Sequence, residues 1–107
     1  MIEKDLITKV ELKRVIRKIK LKEYLDLVDI YLSEAIDVYV FEQRYLEMFK
    51  SDKTMLAEEI YTRLNGIFTD LDSFCPDLEL RGPNDLNEQQ LETSVRQANR
   101  KLREFVC

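Results

Sequence analysis

Apolar side chains recur at three- and four-residue intervals through most of this chain, and that period places them on one face of successive helices. Between Lys22 and Ser33, the residues Tyr24, Leu25, Leu27, Val28, Tyr31 and Leu32 form such a face. Phe41, Tyr45 and Phe49 then fall at i, i+4 and i+8 with Leu46 alongside, and Asp37 stands where an N-cap is expected. Ser51 and Asp52 interrupt this pattern. After them Leu56, Ile60, Leu64, Ile67, Phe68 and Leu71 trace a further stripe to about Phe74, which predicts the longest helix. Gly66 inside it costs about 1 kcal/mol relative to alanine and suggests close packing or a small kink.

Cys75 to Leu86 contains Pro76, Gly82 and Pro83 without a helical period, so an irregular loop is expected. Asn87 and Gln90 have the spacing of a capping box, and Leu91, Val95, Ala98, Leu102 and Phe105 follow as the buried face of a last helix. The first 21 residues are different. Ile2, Leu6 and Val10 share one helical face while Leu12, Val15, Ile16 and Ile19 share another, which predicts a break near Glu11. Val10 with Leu12, and Ile19 with Leu21, also alternate as a short strand would; helix is the preferred reading. The expectation is all-α: one domain over residues 1–107, a compact antiparallel bundle of about four helices with an additional basic N-terminal segment. Its predicted core is Phe41, Tyr45, Phe49, Leu56, Ile60, Leu64, Phe68, Leu91, Val95 and Leu102.

Composition supports helix over sheet, because only two glycines and two prolines are available for turns in 107 residues. A hydrophobic fraction of 45% fills one core of this size, and a charged fraction of 36% makes the surface densely ionic. The net charge of -4 is unevenly spread: residues 1–22 hold 8 basic and 3 acidic side chains, and the remainder holds 9 and 18. An acidic body disfavours direct nucleic-acid binding and suits a basic partner. Cys75 and Cys107 are too few for a disulfide framework and are read as free thiols. Glu3, Lys4 and Asp5 interrupt any secretory signal, and no run approaches the roughly 18 to 20 apolar residues that cross a bilayer. A cytoplasmic protein without a membrane partner is expected.

The chain has no histidine, which removes Ser-His, Cys-His and His-metal chemistry. A carboxylate-only enzyme or a di-iron bundle is left open in principle, but the latter ordinarily needs Glu-x-x-His pairs; no catalytic residue, cofactor or metal is expected. Two charge clusters remain. Lys9, Lys13, Arg14, Arg17, Lys18, Lys20 and Lys22 interleave with aliphatic residues and could meet RNA or an anionic membrane, yet the run has no aromatic residue for base stacking. The favoured reading is a solvated helix face with acidic neighbours, its aliphatic residues packed on the bundle. Asp70, Asp72, Asp77, Glu79, Asp85, Glu88 and Glu92, opposed only by Arg81, make a concentrated negative field that can imitate phosphates. Equally, carboxylates at helix boundaries cap helices and solubilise loops.

At these residues the sequence resembles the colicin D-like immunity proteins, which include the immunity partners of some contact-dependent growth inhibition toxins. The resemblance lies in ordered segments: Phe41 to Lys50, Glu59 to Tyr61, Ile67 to Phe74, Pro76-Asp77, Glu79 to Arg81 and Asp85 to Glu88, within about Lys22 to Phe105. It implies a bundle of about four helices that binds a basic toxin nuclease domain, typically one that cleaves tRNA, and blocks its active site without turnover. Carried over by position, the toxin-facing residues are Asp70, Asp72, Asp77, Glu79, Asp85 and Glu88 with Phe74 as an apolar anchor, and Arg81 holds the loop through a local salt bridge. Asp70, Asp72, Asp77 and Glu79 are expected on one exposed surface. Two other readings compete: a helical adaptor binding through exposed Tyr31 and Tyr39, and an RNA-associated protein using the basic N-terminus.

Overall fold

Four helices follow one another in the computed structural model, which describes residues 9–106: α1 (Lys9–Leu32), α2 (Val38–Ser51), α3 (Glu58–Asp72) and α4 (Glu88–Arg103). Successive helices pack on one another and α4 returns onto α1, giving a closed four-helix bundle. The neighbours run antiparallel. Tyr31 stacks on Phe41 at 4.3 Å and Tyr24 meets Tyr45 at 5.5 Å between α1 and α2, while the Tyr45 hydroxyl donates to the Leu64 carbonyl of α3 at 2.8 Å.

The caps are those the residues specify. Asp37 accepts from the Val40 amide at the start of α2. Asn87 and Gln90 exchange side-chain-to-backbone bonds of 2.7 and 2.9 Å, so the expected capping box forms at α4. α1 ends in a Schellman motif: Ala35 donates to Ile30 and Glu34 to Tyr31, with Glu34 held at φ 66° where glycine is usual. That turn delivers the chain from α1 into α2 within five residues, 33–37.

The core is built from Leu21, Tyr24, Leu25, Val28, Tyr31, Phe41, Tyr45, Leu64, Ile67, Leu71, Leu91, Val95 and Leu102, with Leu27 and Val38 also buried. Of the predicted core, Phe49, Leu56, Ile60 and Phe68 are only partly buried and pack around this centre. Tyr24 donates to the Asp52 carboxylate at 2.7 Å, and Thr54 donates to the same group through its amide and its hydroxyl. Burial alone raises the Asp52 carboxyl, but the Thr54 and Tyr24 hydrogen bonds and the Lys20 charge outweigh it and hold the group below its ordinary value.

Several expectations are corrected. α1 runs unbroken through Glu11, so there is neither a break nor a strand over residues 9–21, and at 24 residues α1, not α3, is the longest helix. Ile2 and Leu6 lie outside the described residues, as does Cys107. Gly66 is exposed with nothing within 4 Å of an added Cβ, so close packing does not explain it. Phe105 lies in the turn after α4 at 40% exposure instead of on its buried face.

The length of α1 has a consequence for shape. At 1.5 Å per residue it measures about 36 Å against about 21 to 24 Å for the other helices, and the first buried side chain described along it is Leu21. Its N-terminal half therefore projects beyond the bundle. Antiparallel packing gathers the C-terminal ends of α1 and α3 with the N-terminal ends of α2 and α4 at the opposite end.

Candidate functional site

That opposite end is formed by the 33–37 turn, the long connection between α3 and α4, and the first turn of α4. The connection is an ordered loop. Its base is closed by a bridge between Phe74 and Leu86, in which Cys75 donates to the Leu86 carbonyl at 2.9 Å and Leu86 to the Ser73 carbonyl at 2.8 Å. No residue between 75 and 86 is fully buried, so the loop keeps its shape through polar contacts. Asp77 accepts from the Glu79 amide, Asp85 accepts from the Gly82 amide, and the Asp77 carbonyl takes the amides of Leu80 and Arg81.

Arg81 supplies the clamp. Its Nε donates to the Cys75 carbonyl at 2.9 Å and an Nη to the Pro76 carbonyl at 3.2 Å. The expected salt bridge is thus replaced by bonds to backbone carbonyls, because the turn folds those oxygens, not a carboxylate, onto the guanidinium. The only cation between residues 70 and 92 is committed to holding the loop.

The predicted acidic residues divide by what they touch. Asp70 is half-buried and accepts from Ser94 of α4, so it ties α3 to α4 and does not share the fully exposed surface expected for it. Asp77 is exposed while shaping its turn, and Asp85 is partly buried in its own. Asp72, Glu79 and Glu88 are exposed, and among the described residues no side-chain hydrogen bond or ion pair engages their carboxylates. Phe74 is half-buried, its ring 6.3 Å from that of Tyr39, so it anchors the base of the loop.

Two apolar residues join this set that sequence reasoning passed over. Leu78 and Leu80 are 77% and 75% exposed, standing between and beside Asp77 and Glu79. The alternation Asp77-Leu78-Glu79-Leu80 was the available signal, since two leucines in a loop without a helical period have no core face to join. A second feature lies beside the α4 N-terminus, where Glu34, Asp37, Glu88 and Glu92 surround an open concavity floored by Tyr31 and Val38. Burial, with Glu92 and Glu88 nearby, pushes the Tyr31 hydroxyl up to about 12. Tyr31 itself is buried, contrary to the exposure the adaptor reading expected of it, while Tyr39, its other example, is exposed.

The sequence profile of bacterial self-protective colicin-like immunity proteins matches residues 19–102, most of the chain, leaving out most of the projecting part of α1 and the residues after Leu102. The chain belongs to that family. No curated protein and no solved structure matches it. Family membership assigns the protein to toxin immunity, which is a binding function, and the matched region contains both the bundle and the acidic end. Among the described residues no group of three or more metal-binding side chains converges, and no helix is long and apolar enough to cross a membrane.

Proposed function

We propose that this immunity protein binds the nuclease domain of a cognate toxin, of the colicin D-like or contact-dependent growth inhibition kind, and occludes its active site with the acidic end of the bundle. The observation that carries the reading is the clamped loop: Leu78 and Leu80 stand exposed among Asp77, Glu79 and the neighbouring Asp72, on a backbone already fixed by Arg81 and the Phe74–Leu86 bridge. A nuclease must expose a cationic cleft to hold its RNA. Carboxylates offered from a rigid loop match that charge, and two leucines supply apolar contact that phosphates cannot. Preorganisation limits the ordering cost that would otherwise offset these contacts.

The tRNA-cleaving class of the partner follows from the colicin D-like resemblance, and a tRNase acts where tRNA is, so the reading places the protein in the cytoplasm. Inhibition by occlusion needs no turnover, and the protein is read as a non-enzyme. The test is to purify the cognate toxin domain, measure tRNA cleavage against added immunity protein, and repeat with Glu79→Gln combined with Leu80→Ala. Wild type should abolish cleavage at equimolar concentration, and the double variant should inhibit at least tenfold less well with unchanged helicity. Equal protection by both proteins would move the contact surface away from this loop.

A further inference from the structure

The projecting half of α1 carries a second surface. Leu12, Val15, Ile16 and Ile19 are 46%, 47%, 43% and 56% exposed, which overturns the expectation that they pack on the bundle. Geometry explains why they cannot. Ile19 and Leu21 are two residues apart, about 200° around the helix, so the stripe that ends at Ile19 points away from the core face that begins at Leu21. Each half of α1 is amphipathic, in opposite directions.

Charge decides what can cover the outer stripe. Between Leu12 and Lys22 there are six cations, Lys13, Arg14, Arg17, Lys18, Lys20 and Lys22, and no acidic residue. Lys20 and Lys22 pair with Glu23 and Asp26 of the next turn at 3.2 and 3.1 Å, but Lys13, Arg14, Arg17 and Lys18 lie further out along the helix, and pairing two copies through this stripe would set those cations against one another. A polynucleotide would use the cations and leave four aliphatic side chains in water. We propose that this half of α1 lies on an anionic lipid surface, with Leu12, Val15, Ile16 and Ile19 at the acyl boundary and the flanking lysines and arginines among the headgroup phosphates.

The arrangement separates the two ends electrostatically. From Ile19 to the end of α1 is about 20 Å at 1.5 Å per residue, twice the screening length of roughly 10 Å at 0.1 M salt. The acidic loop end therefore does not cancel attraction to an anionic surface and stays free for its own partner. Four aliphatic side chains make a reversible contact, governed by salt and lipid charge.

Co-sedimentation of the full-length protein with phosphatidylcholine vesicles, with and without phosphatidylserine, tests this. Binding is expected only with phosphatidylserine, and should weaken on adding salt. Lys13→Gln with Lys18→Gln should reduce it about 25-fold, taking roughly fivefold per cation, and Val15→Ser with Ile19→Ser should reduce it at least tenfold with all charges kept. Since these side chains are exposed, unchanged circular dichroism is the control for folding. No binding to anionic vesicles overturns the proposal. Binding insensitive to Val15→Ser/Ile19→Ser, displacement by tRNA at equal charge, or self-association lost in that variant each overturns it too, in favour of a polyanion or self-association surface. Both variants should inhibit the toxin in solution as wild type does, so failure here and failure of the immunity reading are read separately.

Discussion

Removing the Arg81 clamp should loosen the acidic loop without unfolding the bundle. Arg81→Ala deletes two charge-assisted bonds, a partly buried one to the Cys75 carbonyl and an exposed one to the Pro76 carbonyl. Hydrogen bonds to charged groups contribute about 1.5 to 3 kcal/mol when shielded and under about 1 kcal/mol when solvated, so the pair is worth about 2 kcal/mol to the closed loop. No side chain from 75 to 86 belongs to the buried core, so little of this loss should reach global stability. Amide exchange is the direct assay: the Cys75 and Leu86 amides close the loop base and should lose protection by about 30-fold, with core amides of α3 and α4 unaffected.

The same substitution acts on both rate constants for toxin, with opposing effects on affinity. Deleting the sole cation between 70 and 92 makes the loop end more negative, which steers a basic partner faster; a loosened loop must be reordered in the complex and releases sooner. Arg81→Ala should therefore raise both rates, with dissociation rising more. Arg81→Lys should restore the charge but only part of the order, since one ammonium cannot reproduce the fork. Unchanged exchange at Cys75 and Leu86 in Arg81→Ala would show that the clamp does not order the loop, and the argument from preorganisation would go with it.

Leu64 is fully buried where α3 meets α2, and Leu64→Ala should cost about 2 to 5 kcal/mol in denaturant unfolding. Gly66→Ala should stabilise by up to about 1 kcal/mol, because the added methyl meets open space in a helix interior. Asp72→Asn should stabilise by about 0.3 to 1 kcal/mol, since its carboxylate opposes the dipole at the C-terminus of α3, while weakening toxin binding. Burial raises the hydroxyls of Tyr24, Tyr45 and Tyr31, the last to about 12 with Glu92 and Glu88 assisting. The folded state thus holds these protons more tightly than the unfolded chain, so stability should be intact below pH 10.0 and fall as pH rises toward about 12, followed by unfolding and tyrosinate absorbance.

Where one periodic face met one neighbour, the sequence was sufficient: Asp37, Asn87 and Gln90 cap the helices they were expected to cap, and α2 through α4 occupy their stripes. The misreading of α1 has a physical cause. A change of apolar face along a sequence looks like a break when every stripe is assumed to find a core, and here the second stripe has none. Phe49 and Phe68 were legible as apolar but not as peripheral, because depth depends on which of two adjacent stripes the neighbouring helix covers. The cluster of carboxylates was visible in sequence, whereas which of them were free was not, since Ser94 and the amides of Gly82 and Glu79 are brought to them by the fold.

That division bears on why the end is acidic at all. Capping and turn formation explain Asp37, Asp77 and Asp85, and a helix-to-helix bond explains Asp70, each through a named donor. The same explanation does not extend to Asp72, Glu79 and Glu88. Glu88 gains from the α4 dipole, but Asp72 sits against the dipole of α3, and Glu79 stands on a loop between two exposed leucines. Adding like charge beside like charge lowers the stability of the isolated fold. A surface that gathers carboxylates without partners among the described residues, and leucines, on a clamped loop is costly for the free protein; under the proposed toxin-binding role that cost is recovered in the complex.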